Sequence, residues 1–331
     1  MKVLVTGANG FTGSHLVRAL EQGGNQVVGL VRPTSDLSRL ADCTPQLIYG
    51  DITDVPVLRA AMQGADVVFH TAAYVELGLV DESQMERVNV AGTQAVLEVA
   101  QALGNEQTPA KYPKVVYCST IGIFGDSKGQ VIDETFERVQ PDFSSAYDRT
   151  KYAAQQLVNQ FAAAGLPVVS VMPSGILGPD DPHFGPVVRR FIKGKLPLWV
   201  GGDRITGIVH VDDLVQAMIL GATLGKPGAT YIISAGDLKT RDMFAILSKI
   251  TGVPEPRELP ELLVRVLGTV LDVLGQLLHW NPPISRERVH YLYDRCVRVD
   301  ATKAKQELGW HPRSVPEVLQ SLVDAQPGLT P

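Results

Sequence analysis

The chain has 331 residues, 45% of them hydrophobic and 20% charged, which supplies apolar material for a sizeable core, excludes a disordered chain and leaves room for about two domains. Thirty Lys and Arg against 35 Asp and Glu give a net charge of −5 with no basic block, which argues against nucleic acid as the main partner. Cys43, Cys118 and Cys296 stand far apart, in neither metal-ligand nor disulfide spacing, so no metal is expected and a reducing compartment, the cytoplasm, is the natural setting.

Lys2-Val3-Leu4-Val5-Thr6-Gly7 reads at once as a buried strand, with no charged leader or cleavage-like site. Apolar runs follow in chain order at 3–6, 26–31, 46–49, 67–71, 114–119 and 167–172. Helical patterns at 13–22, 55–62, 85–103 and 145–164 lie between them. Continuous Val/Ile/Leu runs alternating with helices predict an α/β chain whose parallel sheet is covered on both faces. The uncharged stretch from Tyr152 to Pro179 is broken by Gln155, Gln156, Asn159 and Gln160 and by Pro167 and Pro173, so no membrane span is expected. Beyond Pro173 the texture becomes loop-rich, with a strand pattern at 208–211, a helix pattern at 212–224, a strand pattern at 230–234 and a largely helical C-terminal third.

The first chemistry-bearing segment is Thr6-Gly7-Ala8-Asn9-Gly10-Phe11-Thr12-Gly13, between the first run and the first helix. Gly7 permits a tight turn, Gly10 lets backbone approach a pyrophosphate, and Gly13 lets helix and strand pack closely. Phosphates would then meet free N–H groups at the positive end of the helix dipole. An ordinary loop can share the glycines, but its placement inside a strand–turn–helix unit is what points to a dinucleotide.

Arg32 closes the second run, where a carboxylate would accept hydrogen bonds from the adenosine ribose and repel a 2′-phosphate. A guanidinium there offers paired donors to a phosphate dianion, with Ser35 and Arg39 nearby. The cofactor expected is NADP, with NAD as the alternative; a solvated surface arginine would read the same way.

Tyr147 and Lys151 are four residues apart at the head of a helical pattern, on one face and one turn apart. A free phenol ionises near pH 10, and an ammonium beside it would lower that value toward the range of general acid–base work. Such pairs also arise by chance. Cys118-Ser119-Thr120, however, closes the fifth run, and strand carboxyl ends face the ligand crevice of a doubly wound sheet. A hydroxyl there can hold a carbonyl oxygen while the tyrosine protonates it.

Glycine turn, strand-end hydroxyl and Tyr-x-x-x-Lys, in that order, resemble the extended short-chain dehydrogenases/reductases. So do Gly50-Asp51, His70-Thr71-Ala72-Ala73, Asn89 with Gly92-Thr93, the stretch Pro173-Ser174-Gly175-Ile176-Leu177-Gly178-Pro179, His210-Val211-Asp212-Asp213 and Glu307-Leu308-Gly309-Trp310. The resemblance implies a Rossmann-type doubly wound parallel sheet with a smaller, mostly helical C-terminal substrate domain. The dinucleotide domain would span 1–172, a segment of about 205–225 returning to it, and the substrate domain 173–331. It also implies cofactor contacts for Gly7, Asn9, Gly10, Phe11, Thr12 and Gly13, for Asp51 and Ile52 on the adenine side, and for Thr71, Ala72, Ala73 and Asn89. Pro173 and Ile176 would face the nicotinamide. Tyr147 would be the acid/base, Lys151 its partner and a ribose ligand, and Thr120 the hydroxyl on the substrate oxygen, with Ser119 in reserve. A homodimer is the implied assembly. For Asn89 and for the His210–Asp213 group, structural hydrogen bonding is an equal alternative.

Within that family Val31-Arg32-Pro33-Thr34-Ser35 resembles the dihydroflavonol reductase-like and hopanoid-associated epimerase-like members. Nucleotide-sugar enzymes carry an Asn and an Arg where Gly175 and Thr206 stand here, although Arg204 lies two residues away. Elimination needs acids beside the hydroxyl, and Thr120-Ile121-Gly122 has none. The activity expected is NADPH-dependent reduction of a ketone or aldehyde of a small, apolar or aromatic substrate, with Tyr74, Phe184, Phe191 and Trp199 as candidate pocket walls. The alternatives are a sugar or nucleotide-sugar epimerase with tightly bound NAD(P) and a non-catalytic dinucleotide binder. In 259–280 a broad apolar stripe at helical spacing fits a helix packed on the second domain, a lid or a subunit contact, while Arg265 and Asp272 argue against membrane insertion.

Overall fold

In the first strand Val3 and Val5 belong to one buried cluster and Leu4 to another, and in the fifth Val116 and Val115 divide the same way. Alternate side chains of a strand face opposite sides of a sheet, so two cores sandwich it. The computed structural model, which describes residues 1–326, forms this sheet from seven parallel strands in the spatial order Thr230–Ile233, Val168–Pro173, Lys114–Cys118, Val67–His70, Lys2–Thr6, Gln26–Val31, Gln46–Tyr49. Leu16 and Val17 of helix Phe11–Gln22 and Leu214 and Met218 of helix Val211–Thr223 cover one face. Leu58 of helix Val55–Met62, Val96 of Gly92–Asn105 and Val158 of Ala146–Ala163 cover the other. Chain direction across the sheet reverses between Lys2–Thr6 and Val67–His70, which opens a crevice at their carboxyl ends.

The edge strand Thr230–Ile233 lies beyond the end of the 205–225 segment expected to return to the dinucleotide domain; that segment contributes helix Val211–Thr223. The single helix expected over 85–103 is interrupted. Helix Glu82–Glu86 passes through a π-helical turn, Arg87–Ala91, into Gly92–Asn105. The extra residue in that turn is invisible to a 3.6-residue periodicity.

After Pro173 a three-stranded sheet, Gly236–Lys239, Ile205–His210 and Gly175–Leu177, carries a third core. Phe191, Trp199 and Phe244 meet there, the last two with ring centroids 4.9 Å apart. Phe191 and Trp199 are therefore core residues, and the expectation that they line the pocket is corrected. The His210–Asp213 group takes the structural alternative. His210 Nδ1 accepts from the Asp212 N–H (3.1 Å), while Asp213 binds Arg313 and its carbonyl accepts from Trp310 Nε1 (2.8 Å).

Candidate active site

Gly7 ends the first strand with φ +69°, and a Cβ on it would lie 2.8 Å from the Ala72 backbone at the neighbouring strand's end. A Cβ on Gly13 would lie 2.1 Å from the Gly7 carbonyl oxygen. Both positions demand glycine because backbone meets backbone. Helix Phe11–Gln22 starts at Gly10 with no side-chain cap, so its first-turn N–H groups remain for an anion. These features form a cradle of the shape and polarity a dinucleotide pyrophosphate requires.

A cavity of about 740 Å³ extends from this cradle to the carboxyl ends of the strands. Of the expected site residues, Gly7, Gly10, Phe11, Thr12, Gly13, Thr71, Ala73, Thr120, Tyr147, Lys151, Pro173 and Ile176 line it, as do Tyr74 and Phe184. The others lie behind or beyond its wall. Ala72 backs Gly7, and Asn9 Nδ2 donates to the Asp36 carbonyl (3.2 Å). Arg32 stands exposed at the end of Gln26–Val31, its backbone N–H donating to Ser35 Oγ (3.1 Å). Burial pushes the Asp51 carboxyl up, but hydrogen bonds from Arg87 and Thr53 outweigh it and hold the group at about 2. Ile52 packs under Gly92. Asn89, expected among the cofactor contacts, has its carboxamide spent inside the protein: it accepts from Tyr74 N–H (2.7 Å) and donates to Tyr74 O and Thr150 Oγ1 (3.0 Å each). The π-helical turn thus anchors the segment that carries Tyr74 into the cavity wall.

Ser145 Oγ accepts from the Asp148 N–H (3.0 Å) and caps helix Ala146–Ala163, which sets Tyr147 and Lys151 in its first turns. Lys151 is buried. Its Nζ donates to Tyr117 Oη and to the Cys118 carbonyl, both at 2.8 Å, and lies 4.3 Å from the Tyr117 ring centroid. Burial lowers its pKa to about 8. Thr120 Oγ1 accepts from the Gly122 N–H (3.0 Å), which leaves its own proton free to donate, and Ser119 Oγ beside it is buried with no hydrogen-bond partner among the described residues. The Tyr147 phenol is half-buried. Burial is the largest influence on it and pushes its pKa above the usual value, with Cys118 and Asp148 adding to the rise, while Thr120 and Arg295 pull the other way. The expected acidification by Lys151 is therefore absent from this arrangement, because the ammonium is directed at Tyr117 and Cys118. Tyr147 is held in its proton-bearing form.

Four contributors were missed by sequence reasoning: Asp148, Tyr291, Arg295 and Tyr117. Asp148 is fully buried; it accepts from Tyr291 Oη (2.6 Å) and lies 3.6 Å from the guanidinium of Arg295, which donates to the Gly122 carbonyl (3.1 Å). Tyr291 and Arg295 thereby close the site from the C-terminal side, and no spacing in the sequence signals a contact across so many residues. Tyr117 reads as an ordinary strand residue. Arg204, which the sequence already set two residues from Thr206, lines the cavity as well, its pKa lowered by burial and by Arg295.

Lys151 carries its proton below about pH 8 and loses it above. The rate of a step that needs this charge is expected to be level below that pH and to fall about tenfold per unit above it. In Lys151→Arg, whose charge persists, a pH–rate profile is expected to lack that limb even if the maximal rate is lower.

A parallel sheet with a glycine cradle and a Tyr–Lys–hydroxyl set on one cavity defines a nucleotide-cofactor oxidoreductase of the α/β class. The sequence matches the NAD dependent epimerase/dehydratase family over residues 3–234, and the protein belongs to that family as one of its oxidoreductases. It is 33% identical to a putative dihydroflavonol 4-reductase of Synechocystis sp., over 96% of this chain and 92% of that one. It is 31% identical to the 4-hydroxy-2-methyl-3-oxo-4-farnesyl-3,4-dihydroquinoline-1-oxide ketoreductase of Stigmatella aurantiaca, over 94% and 92%. The solved structure of MoeE5 in complex with UDP-glucose and NAD is 25% identical with a TM-score of 0.76, covering 98% of each chain.

Proposed function

We propose that the protein reduces a ketone or aldehyde on a small, largely apolar substrate with NADPH, Tyr147 donating the proton. The observation that carries this reading is the convergence of Thr120, Tyr147 and Lys151 on the cavity that begins at the glycine cradle. The bound dinucleotide would supply the hydride. The Thr120 hydroxyl, already engaged as an acceptor by Gly122, donates to the carbonyl oxygen and fixes its position. Tyr147 gives its proton to the same oxygen, so the developing alkoxide charge meets two preset donors. Lys151, its ammonium directed at Tyr117 Oη and the Cys118 carbonyl at the cavity wall, would hold the ribose of the dinucleotide.

Val75, Leu77, Leu238 and Met243 give the substrate end of the cavity an apolar wall, which fits an apolar substrate; the Stigmatella ketoreductase is named for a farnesylated one. The exposed guanidinium of Arg32 supports NADP over NAD. Arg32→Ala is expected to lower the ratio of NADPH to NADH affinity about 10- to 100-fold, the worth of a charge-assisted phosphate contact. An unchanged ratio in a fluorescence titration of both cofactors would remove the assignment. Three cysteines without disulfides suit a reducing compartment such as the cytoplasm.

Arg204 favours a second reading. Among the described residues it has no carboxylate partner, and a half-buried guanidinium facing a cavity suits an anionic substrate group, as in an epimerase of nucleotide sugars with retained NAD(P). Mass spectrometry of the purified protein separates the two, since retained dinucleotide together with a sugar nucleotide would favour the epimerase. An NADPH-oxidation assay over a panel of small carbonyls tests the reductase directly, and inactivity with all of them would favour a non-catalytic binder.

A further inference from the structure

The helix Glu261–Leu278 turns Val264, Gly268, Asp272 and Gly275 inward. A Cβ on Gly268 would meet Val289 of helix Arg286–Tyr293 at 2.6 Å, and one on Gly275 would meet Leu79 at 2.9 Å. The two charges that argued against membrane insertion are both drawn back onto the protein: Arg265 pairs with Glu261 and Asp294 (2.6 Å each), and Asp272, 7% exposed, accepts from Gln276 Nε2 (3.2 Å). Glu261, Thr269 and Gln276 are exposed along one side of the helix, and the rest of its outer surface is apolar. Leu262, Leu277 and Leu278 are 76%, 71% and 69% exposed, with Val266, Val270 and Val273 between them and Trp280 at the tip. At 100° per residue the arc from Leu262 round to Leu278 spans about 160°, and at 1.5 Å per residue it runs for about 24 Å, without a charge.

We propose that this face lies in the surface of a lipid bilayer and that lipophilic substrate enters the cavity from there. The inference rests on the reading of the substrate as an apolar carbonyl compound. A second copy of the chain is the weaker occupant, because a seam between two helices uses about two positions in seven and would leave the flanks Leu262 and Leu278 in water. A bilayer surface covers the whole arc, as it does for helices that lie in the interface plane. Among the described residues no helix is long and apolar enough to cross a membrane, so contact is with the surface.

The placement supports entry. Asn281, just past the helix, donates to the Leu77 carbonyl (3.0 Å) and accepts from the Leu79 N–H (3.1 Å), and Glu287 accepts from the Gly78 N–H (2.7 Å). Val75, Glu76 and Leu77 line the cavity, as does Tyr291 of the helix beneath. One wall therefore separates the apolar face from the cavity.

The test is flotation of the full chain with phosphatidylcholine vesicles in a density gradient, alongside size-exclusion light scattering without lipid. The wild-type protein is expected to float. The double variant Val270→Glu, Leu277→Glu is expected to stay at the bottom while keeping its melting temperature and its NADPH-dependent turnover of a water-soluble carbonyl, and Leu262→Lys is expected to reduce flotation in the same direction. Wild-type protein that remains at the bottom overturns the proposal, and so does a wild-type dimer that the double variant converts to monomer without any flotation. Flotation needs no turnover, so a protein that floats but oxidises no NADPH would refute the reductase reading and leave the membrane surface intact.

Discussion

Replacing Tyr147 by Phe is expected to lower kcat for carbonyl reduction by about 10²- to 10⁴-fold, the usual worth of a positioned general acid, while leaving the dissociation constant for NADPH nearly unchanged. The phenol is half-buried, and burial pushes its pKa up, so near neutral pH it holds a proton for the oxygen that Thr120 positions. Phenylalanine keeps the ring and its packing and removes only that proton. Thr120→Val is expected to act in the same direction, since it removes the second donor, and the two losses should combine to less than their product because both serve one oxygen. Steady-state kinetics with separate cofactor titration distinguishes this from a loss of binding; wild-type turnover by Tyr147→Phe would remove the mechanism.

The second large effect is expected at Gly13. A Cβ there would sit 2.1 Å from the Gly7 carbonyl oxygen, with the Gly7 and Ala8 backbone close behind. No flexible side chain can yield, so Gly13→Ala must push helix Phe11–Gln22 away from the strand or deform the turn. Overpacking of this kind costs about 1–3 kcal/mol of stability. Because the same backbone forms the cradle, dinucleotide affinity is expected to fall at least about tenfold, a loss of about 1.4 kcal/mol. Thermal melting and cofactor titration report the two effects separately. A variant that melts and binds like the wild type would mean that the helix start and the turn are not in contact as described.

Much of the fold was legible because its signals are local. Six strands of the parallel sheet fall within a residue of the apolar runs that predicted them, and the glycine turn announces itself through backbone constraints that any seven- or eight-residue window contains. The parts that escaped depend on distant partners. Asn89 carries the same letters whether its carboxamide faces a cofactor or the Tyr74 backbone, and the π-helical turn that decides the matter has no periodicity of its own. Asp148 looks like a first-turn acid until Tyr291 and Arg295 arrive from the other end of the chain. Phe191 and Trp199 were placed by proximity in sequence to the substrate half, yet an aromatic core of their own holds them. In the helix Glu261–Leu278 the breadth of the apolar stripe was visible, but the exposed side of it was not, because the small inward residues Gly268 and Gly275 set the contact face.

The most direct measurement of the central claim follows the hydride. NADPH deuterated at the transferable position of the nicotinamide is mixed with the protein and a carbonyl substrate, and both products are read by mass spectrometry. Reduction predicts one deuterium on the new carbinol carbon for each NADP⁺ released to solution. Label that stays with a tightly held dinucleotide, with no alcohol formed, would contradict it.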